Sequence, residues 1–121
     1  MKIRLLLALI FFGCCATAFA QSNSNYYAKK AASYASEAQQ YLDKAKSYDR
    51  EAEYYNQKAE SYMKEVEYYI RYNNYDKACQ NAKWASDAAD RAKTQAKWAN
   101  DARDNARDRM RWAQDALNRA K

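Results

Sequence analysis

The sequence contains no histidine and no proline, and Gly13 is its only glycine. Histidine is the commonest general base and metal ligand, so the usual form of either site is excluded. A glycine-rich phosphate loop is excluded as well. We therefore predict a protein that is not an enzyme and that has no catalytic residue, no cofactor, no metal and no small-molecule substrate.

Cysteine is also scarce. Two of the three cysteines, Cys14 and Cys15, fall within the first twenty residues, and only Cys79 lies in the rest of the chain. A single thiol cannot form an internal disulfide. In an oxidising compartment it can join two copies of the chain, so Cys79 is a candidate for an intermolecular disulfide.

Residues 1–20 differ in composition from everything that follows. A short basic start is followed by an apolar run and by Ala18-Phe19-Ala20. This order is typical of a cleaved signal peptide, and the run is shorter than the roughly 20 apolar residues that span a membrane. We predict an exported protein, periplasmic or extracellular, that begins at Gln21. The alternative is a lipoprotein modified at Cys14.

After residue 20 the β-branched residues are only Val66, Ile70 and Thr94. The rest is mostly alanine, tyrosine and charged or amide side chains, which is typical of long helices and not of sheets. No proline or glycine is present there to break a helix. Ser24 or Asn25 is expected to cap the first helix.

Tyrosine recurs every seven residues through the first half of the chain. The positions are Tyr27, Tyr34, Tyr41, Tyr48, Tyr55, Tyr62 and Tyr69. Small apolar residues recur between them at the same interval, at Ala31, Ala38, Ala45, Ala52, Ala59 and Val66. Alternating steps of four and three are those of a coiled-coil seam. We interpret these tyrosines as core and not as a stacking surface for a ligand.

A second seam runs through the other half of the chain. Its positions are Ala78, Ala82, Ala85, Ala89, Ala92, Ala96, Ala99, Ala106, Met110, Ala113, Leu117 and Ala120, with Arg103 as one interruption. The first seam, continued past Tyr69, would miss the second by two residues. A turn explains the slip, and Asn73-Asn74 predicts it, because asparagine tolerates left-handed backbone angles.

A fourteen-residue repeat overlies the heptads, most clearly as Lys83-Trp84-Ala85, Lys97-Trp98-Ala99 and Arg111-Trp112-Ala113. Folding back at the turn places residues whose numbers sum to about 146 opposite each other. Three ring pairs are then predicted: Trp84 with Tyr62, Trp98 with Tyr48, and Trp112 with Tyr34. If its ring is fully buried, replacing Trp98 with alanine would cost about 3–5 kcal/mol.

Basic residues exceed acidic ones by six, and most of the excess lies late in the chain. Residues 21–72 hold eight of each sign, whereas residues 73–121 hold eleven basic and seven acidic side chains. The candidate contacts for an anionic polymer or lipid are Arg103, Arg107, Arg109, Arg111, Arg119 and Lys121. The alternative is a charged face that only keeps the protein soluble.

Aspartates that share a helix face, such as Asp101, Asp104 and Asp108, suggest a metal site. Basic residues, however, stand three or four positions after several aspartates, so we predict surface ion pairs instead. The predicted pairs are Asp87–Arg91, Asp90–Lys93, Asp104–Arg107 and Asp115–Arg119.

The fold that these patterns predict is all-α: a long antiparallel two-helix coiled-coil hairpin with arms at about 24–72 and 75–120. A single hairpin has a thin core, which favours oligomerisation into a bundle. The leading functional hypothesis is an exported structural or protein-interaction hairpin, such as a periplasmic adaptor or chaperone-like binder, whose partner is a second copy or another helical protein. The alternative is an envelope-associated module that binds an anionic surface or polymer through the basic end of the second helix.

Overall fold

The structure is a computed structural model that describes residues 22–121. The predicted signal peptide and Cys14 lie outside the described residues. The described part consists of two helices, α1 (Ser22–Arg71) and α2 (Tyr75–Ala120), which pack against each other as a helical hairpin. Neither helix carries a stretch long and apolar enough to cross a membrane.

The end of α1 is formed by a left-handed residue. Asn73 has a φ of 59°, the only positive φ among the described residues. Its amide donates to the carbonyl of Ile70 at 3.0 Å, and the amide of Asn74 donates to the carbonyl of Tyr69 at 2.8 Å. These two bonds form a Schellman motif, which satisfies carbonyls that a helix end otherwise leaves unpaired. The motif explains why α1 stops here without glycine or proline.

Asn74 starts α2. Its side-chain oxygen accepts a hydrogen bond from the amide of Lys77 at 3.3 Å, and its carbonyl accepts one from the amide of Ala78 at 3.1 Å. This is the geometry of an N-cap residue followed by a first helical turn. The two adjacent asparagines therefore have different functions: Asn73 ends one helix and Asn74 begins the next.

The contacts divide the chain into two compact units, each built from a stretch of both helices. Among the described residues, unit 1 comprises residues 22–44 and Asp101–Lys121, and unit 2 comprises Ala45–Asn100.

Unit 1 has an interior of alanine. One buried cluster consists of Ala35, Ala38 and Ala106, with Tyr41, Leu42 and Met110 packed against it. A second consists of Ala31, Ala113 and Ala116, with Tyr34 and Leu117 packed against it. Because alanine is short, the two helix backbones approach closely, and the larger side chains lie beside the contact, not within it.

Ser24, in unit 1, does not have the helix-capping role that the sequence predicts. The helix begins two residues earlier, at Ser22, so Ser24 is not the N-cap. Its buried hydroxyl donates to the carbonyl of Ala120 at 2.7 Å. The carbonyls of the last helical turn have no partner within their own helix, so this bond joins the start of α1 to the end of α2.

Unit 2 continues the alanine interior with one polar exception. Its buried apolar residues are Ala45, Ala52, Val66, Ala78, Ala85, Ala88, Ala92 and Ala99. Asn81 is buried with them. Its side-chain nitrogen donates to the carbonyl of Lys77 at 2.9 Å, whereas its side-chain oxygen has no hydrogen-bond partner among the described residues.

The prediction of the second seam is wrong for one flank of α2. In unit 2, Ala82 and Ala96 are exposed, whereas Asn81 and Ala88 are buried. The physical reason is the tryptophan on the same face, because residues three before and four after Trp84 share its side of the helix. Pairing of the Trp84 ring with α1 rotates α2 so that this side of the helix faces α1. In unit 1 the same rotation buries Ala102, so the expected interruption at Arg103 does not arise.

Candidate functional site

The three predicted ring pairs are present. In unit 2, the ring centroids of Tyr62 and Trp84 are 5.7 Å apart and those of Tyr48 and Trp98 are 5.6 Å apart. In unit 1, Tyr34 and Trp112 are 5.6 Å apart. The interplanar angles lie between 53° and 70°, in the tilted to edge-on range that aromatic pairs favour.

The tyrosines that the sequence places in the core are only partly buried, and Tyr34 and Tyr41 pack against the buried alanine clusters. Trp84, Trp98 and Trp112 are 43%, 46% and 44% exposed, and the seam tyrosines are half-buried. An interface built on alanine has no space for an indole between the helices, so the rings lie along its edge. Trp98 is therefore not fully buried. The loss of about 3–5 kcal/mol predicted for its replacement by alanine assumes full burial, so it does not apply.

In unit 2 the exposed rings line a cleft, here called cleft B. Its lining residues include Tyr55, Lys58, Tyr62, Trp84, Asp87 and Arg91, and its volume is 260 Å³. The guanidinium carbon of Arg91 lies 5.7 Å from the centre of the Tyr55 ring. The cleft thus combines aromatic walls with two cations and one carboxylate.

Unit 1 contains a cleft of the same composition, here called cleft A. Its lining residues include Tyr27, Lys30, Tyr34, Trp112, Asp115 and Arg119, and its volume is 170 Å³. Each α1 residue of cleft B lies 28 positions after its counterpart in cleft A, and each α2 residue lies 28 positions before it. Two clefts of one design are therefore present, one in each unit.

The lysine of each cleft is held by a neighbouring tyrosine. The Lys30 amine lies 5.2 Å from the centre of the Tyr26 ring, and the Lys58 amine lies 5.2 Å from that of Tyr54. A side-chain hydrogen bond with this tyrosine, aided by the charge interaction with it, raises the pKa of each lysine above 10.5. Both amines are cationic at neutral pH, as lysine is at its ordinary pKa.

The aspartate and the arginine of each cleft are four residues apart, a spacing that favours an ion pair. Among the described residues, no ion pair within 4.0 Å forms between Asp87 and Arg91 or between Asp115 and Arg119. Of the two predicted pairs outside the clefts, Asp104–Arg107 forms at 3.6 Å. Asp90 and Lys93 form no ion pair within 4.0 Å in the described part of the chain. The charged side chains of both clefts are exposed to solvent.

The six basic residues predicted to contact a polyanion differ in their surroundings. Arg109 lies 2.8 Å from Glu37 and 4.3 Å from the centre of the Trp112 ring, so it is occupied within unit 1. Arg107 pairs with Asp104. Arg103 is half-buried, whereas the exposed members of the set are Arg107, Arg111, Arg119 and Lys121.

The remaining candidates concern sulfur and metal. Cys79 is an exposed free thiol, and its intermolecular disulfide stays a prediction. Among residues 22–121, no group of three or more histidine, cysteine, aspartate or glutamate side chains is placed to hold a metal ion.

Comparisons with protein-family models, with curated proteins and with solved structures gave no match. The function must therefore be argued from the residues.

The clefts are the feature that the sequence interpretation missed. Lys44 and Asp101 continue the lysine and aspartate pattern at fourteen-residue steps, but Asn105 stands where Arg91 and Arg119 stand in the other two copies. The 28-residue recurrence of this arginine was the available signal. An arginine at this position does not contribute to the seam, because its side chain lies outside the alanine interface.

Proposed function

We propose that this protein is an exported, non-enzymatic interaction hairpin whose first partner is a second copy of itself. We propose further that α1 and α2 form an antiparallel coiled coil and that this coiled coil oligomerises. The ring pairs within each unit support the antiparallel arrangement. The signal-peptide pattern of residues 1–20 supports export to the periplasm or the extracellular space.

One observation carries the proposal: unit 2 has an open groove lined by alanine. Ala59, Ala82, Ala85 and Ala89 are among its lining residues, together with the polar Asn56 and Ser86, and its volume is 740 Å³. Met63, which is 48% exposed, stands at its edge. An apolar concave surface of this kind suits an incoming helix.

The rim of the groove favours a second copy as the occupant. Glu60, Lys64 and Glu67 line it, so both signs of charge are present within two helical turns. A two-fold symmetric contact brings the same patch of both copies together. Lysine of one copy can then approach glutamate of the other, and the alanines allow the helices to come close.

The test is sedimentation of the protein recovered from its exporting host, after determination of its N-terminus. We expect a chain that starts at Gln21 and associates with increasing concentration. Met63→Lys should give monomers at the same concentrations, because it places a charge at the apolar groove. Thr94→Lys, which adds the same charge at an exposed site outside the groove, should still associate. A monomeric parent protein, or equal behaviour of both variants, would contradict the proposal.

A second function is favoured by the exposure of Arg111, Arg119 and Lys121 at the end of α2. These side chains could hold an anionic envelope polymer or lipid surface. Salt-dependent binding to anionic vesicles that weakens in the double variant Arg111→Ala with Lys121→Ala would favour this function. Binding that depends neither on salt nor on these two residues would contradict this function.

A further inference from the structure

We propose that clefts A and B are two equivalent binding sites for an acidic glycan, that is, a saccharide chain carrying carboxylate groups. The proposal is independent of dimerisation through the groove, because the lining residues of cleft B include no residue that lines the groove.

The recurrence of the clefts is the first argument. The alanine interface explains a seven-residue period in small residues, and the ring pairs explain a fourteen-residue period in tryptophan. Neither requires an arginine at positions 91 and 119, where each lines the same cleft as a lysine of the other helix. A shared ligand explains it, because a binding site needs all of its groups together.

The shape and the walls of the clefts are the second argument. Both clefts are shallow, and each presents a half-exposed indole and two tyrosine rings. A sugar ring has one face of C–H bonds that stacks on an aromatic ring, with hydroxyl groups around its rim. A shallow aromatic surface therefore suits a saccharide better than a small apolar ligand, which prefers an enclosed pocket.

The charges decide between neutral and acidic glycans. Cleft B carries Lys58, Arg91 and Asp87, and cleft A carries the same three residue types. Arginine and lysine donate charge-assisted hydrogen bonds to carboxylate, whereas a carboxylate such as that of Asp87 accepts from hydroxyl groups. With two cations and one anion, each cleft has an excess positive charge that favours an acidic sugar.

Trp98 provides an internal control. Its ring is as exposed as those of the other two tryptophans, and it pairs with Tyr48 at the same distance. Seven residues after it, however, stands Asn105 and not arginine. If the arginine is needed for binding, Trp98 should not report the ligand.

The experiment is a titration of the full chain with a four-sugar oligouronate, followed by the three indole N–H signals in a nitrogen-15 NMR spectrum. We expect the signals of Trp84 and Trp112 to shift with saturation at two ligands per chain, while that of Trp98 stays in place. Arg91→Gln should weaken the response of Trp84 about tenfold, through loss of a charge-assisted bond, and leave that of Trp112 unchanged. The carboxyl-reduced oligosaccharide should bind more weakly than the acidic one.

Repeating the titration in the Met63→Lys variant separates this proposal from dimerisation, since the clefts should respond equally there. Four outcomes would overturn it. The first is no indole shift up to about 10 mM ligand, which corresponds to a binding free energy weaker than about −3 kcal/mol. The second is equal shifts of all three indoles, and the third is equal binding of the carboxyl-reduced sugar. Shifts of Trp84 and Trp112 that follow protein concentration and not the sugar would assign the clefts to a protein contact and also overturn it.

Discussion

Arg109 shows how a single residue acquires a structural task on a thin interface. Its side chain binds Glu37 at 2.8 Å and lies over two rings, 5.4 Å from the centre of Tyr41 and 4.3 Å from that of Trp112. The aliphatic stem and planar head of arginine cover apolar surface while the charge stays hydrated. In unit 1 it therefore covers ring surface that the alanine interior cannot bury.

Replacing Arg109 with alanine should lower the free energy of unfolding by about 1–2 kcal/mol, the sum of cation–π contacts and a partly exposed ion pair. Replacing the exposed Arg111 with alanine should change it by less than about 0.5 kcal/mol. Urea unfolding followed by circular dichroism measures both. Equal losses would show that Arg109 has no special contact in solution.

At the scale of the helices, alanine occupies two different environments in α2. Ala99 is 0% exposed, whereas Ala96, one helical turn earlier, is exposed. Both were placed in the same seam by their spacing. Only the first lies where the two backbones approach each other.

The pair Ala99→Leu and Ala96→Leu tests this rotation of α2. Leucine at 99 should cost about 1–3 kcal/mol, because the added methylene groups have no space between the helices. Leucine at 96 should change stability by less than about 0.5 kcal/mol, as expected for an exposed site. The two substitutions have the same helix propensity, so thermal unfolding compares them directly. Equal losses at 96 and 99 would contradict this rotation and agree with the seam that the spacing predicts.

These helices also show what the sequence can and cannot predict. The turn and the ring pairs depend on periodicity along each helix, so Asn73 and the tryptophan–tyrosine partners could be inferred. The rotation of α2 could not be inferred. Alanine lies on both flanks of the small-residue seam, and a polar residue, Asn81, stands on the flank that is buried. The clefts depend on that rotation, since it decides which lysine, aspartate and arginine side chains border the rings.

At the scale of the whole molecule, each proposal depends on α1 and α2 of one chain packing together in this register. The structure supports it in unit 1 through the buried clusters that join Ala38 to Ala106 and Ala31 to Ala113. In unit 2 the ring pairs of Tyr48 with Trp98 and of Tyr62 with Trp84 support it. A long helix could instead pack on the same helix of another chain, and the clefts would then contain residues from two molecules.

Disulfide trapping distinguishes the two arrangements. Cysteines replace Ala38 and Ala106 in a chain whose Cys14, Cys15 and Cys79 are changed to serine, because a disulfide needs Cβ atoms about 3.8 Å apart. The control places cysteines at Ala31 and Ala106, which belong to different clusters. We predict rapid oxidation of the 38–106 pair within a monomer, seen by non-reducing electrophoresis and mass measurement, and slow oxidation of the control. Disulfides of the 38–106 pair that form only between chains would contradict the hairpin.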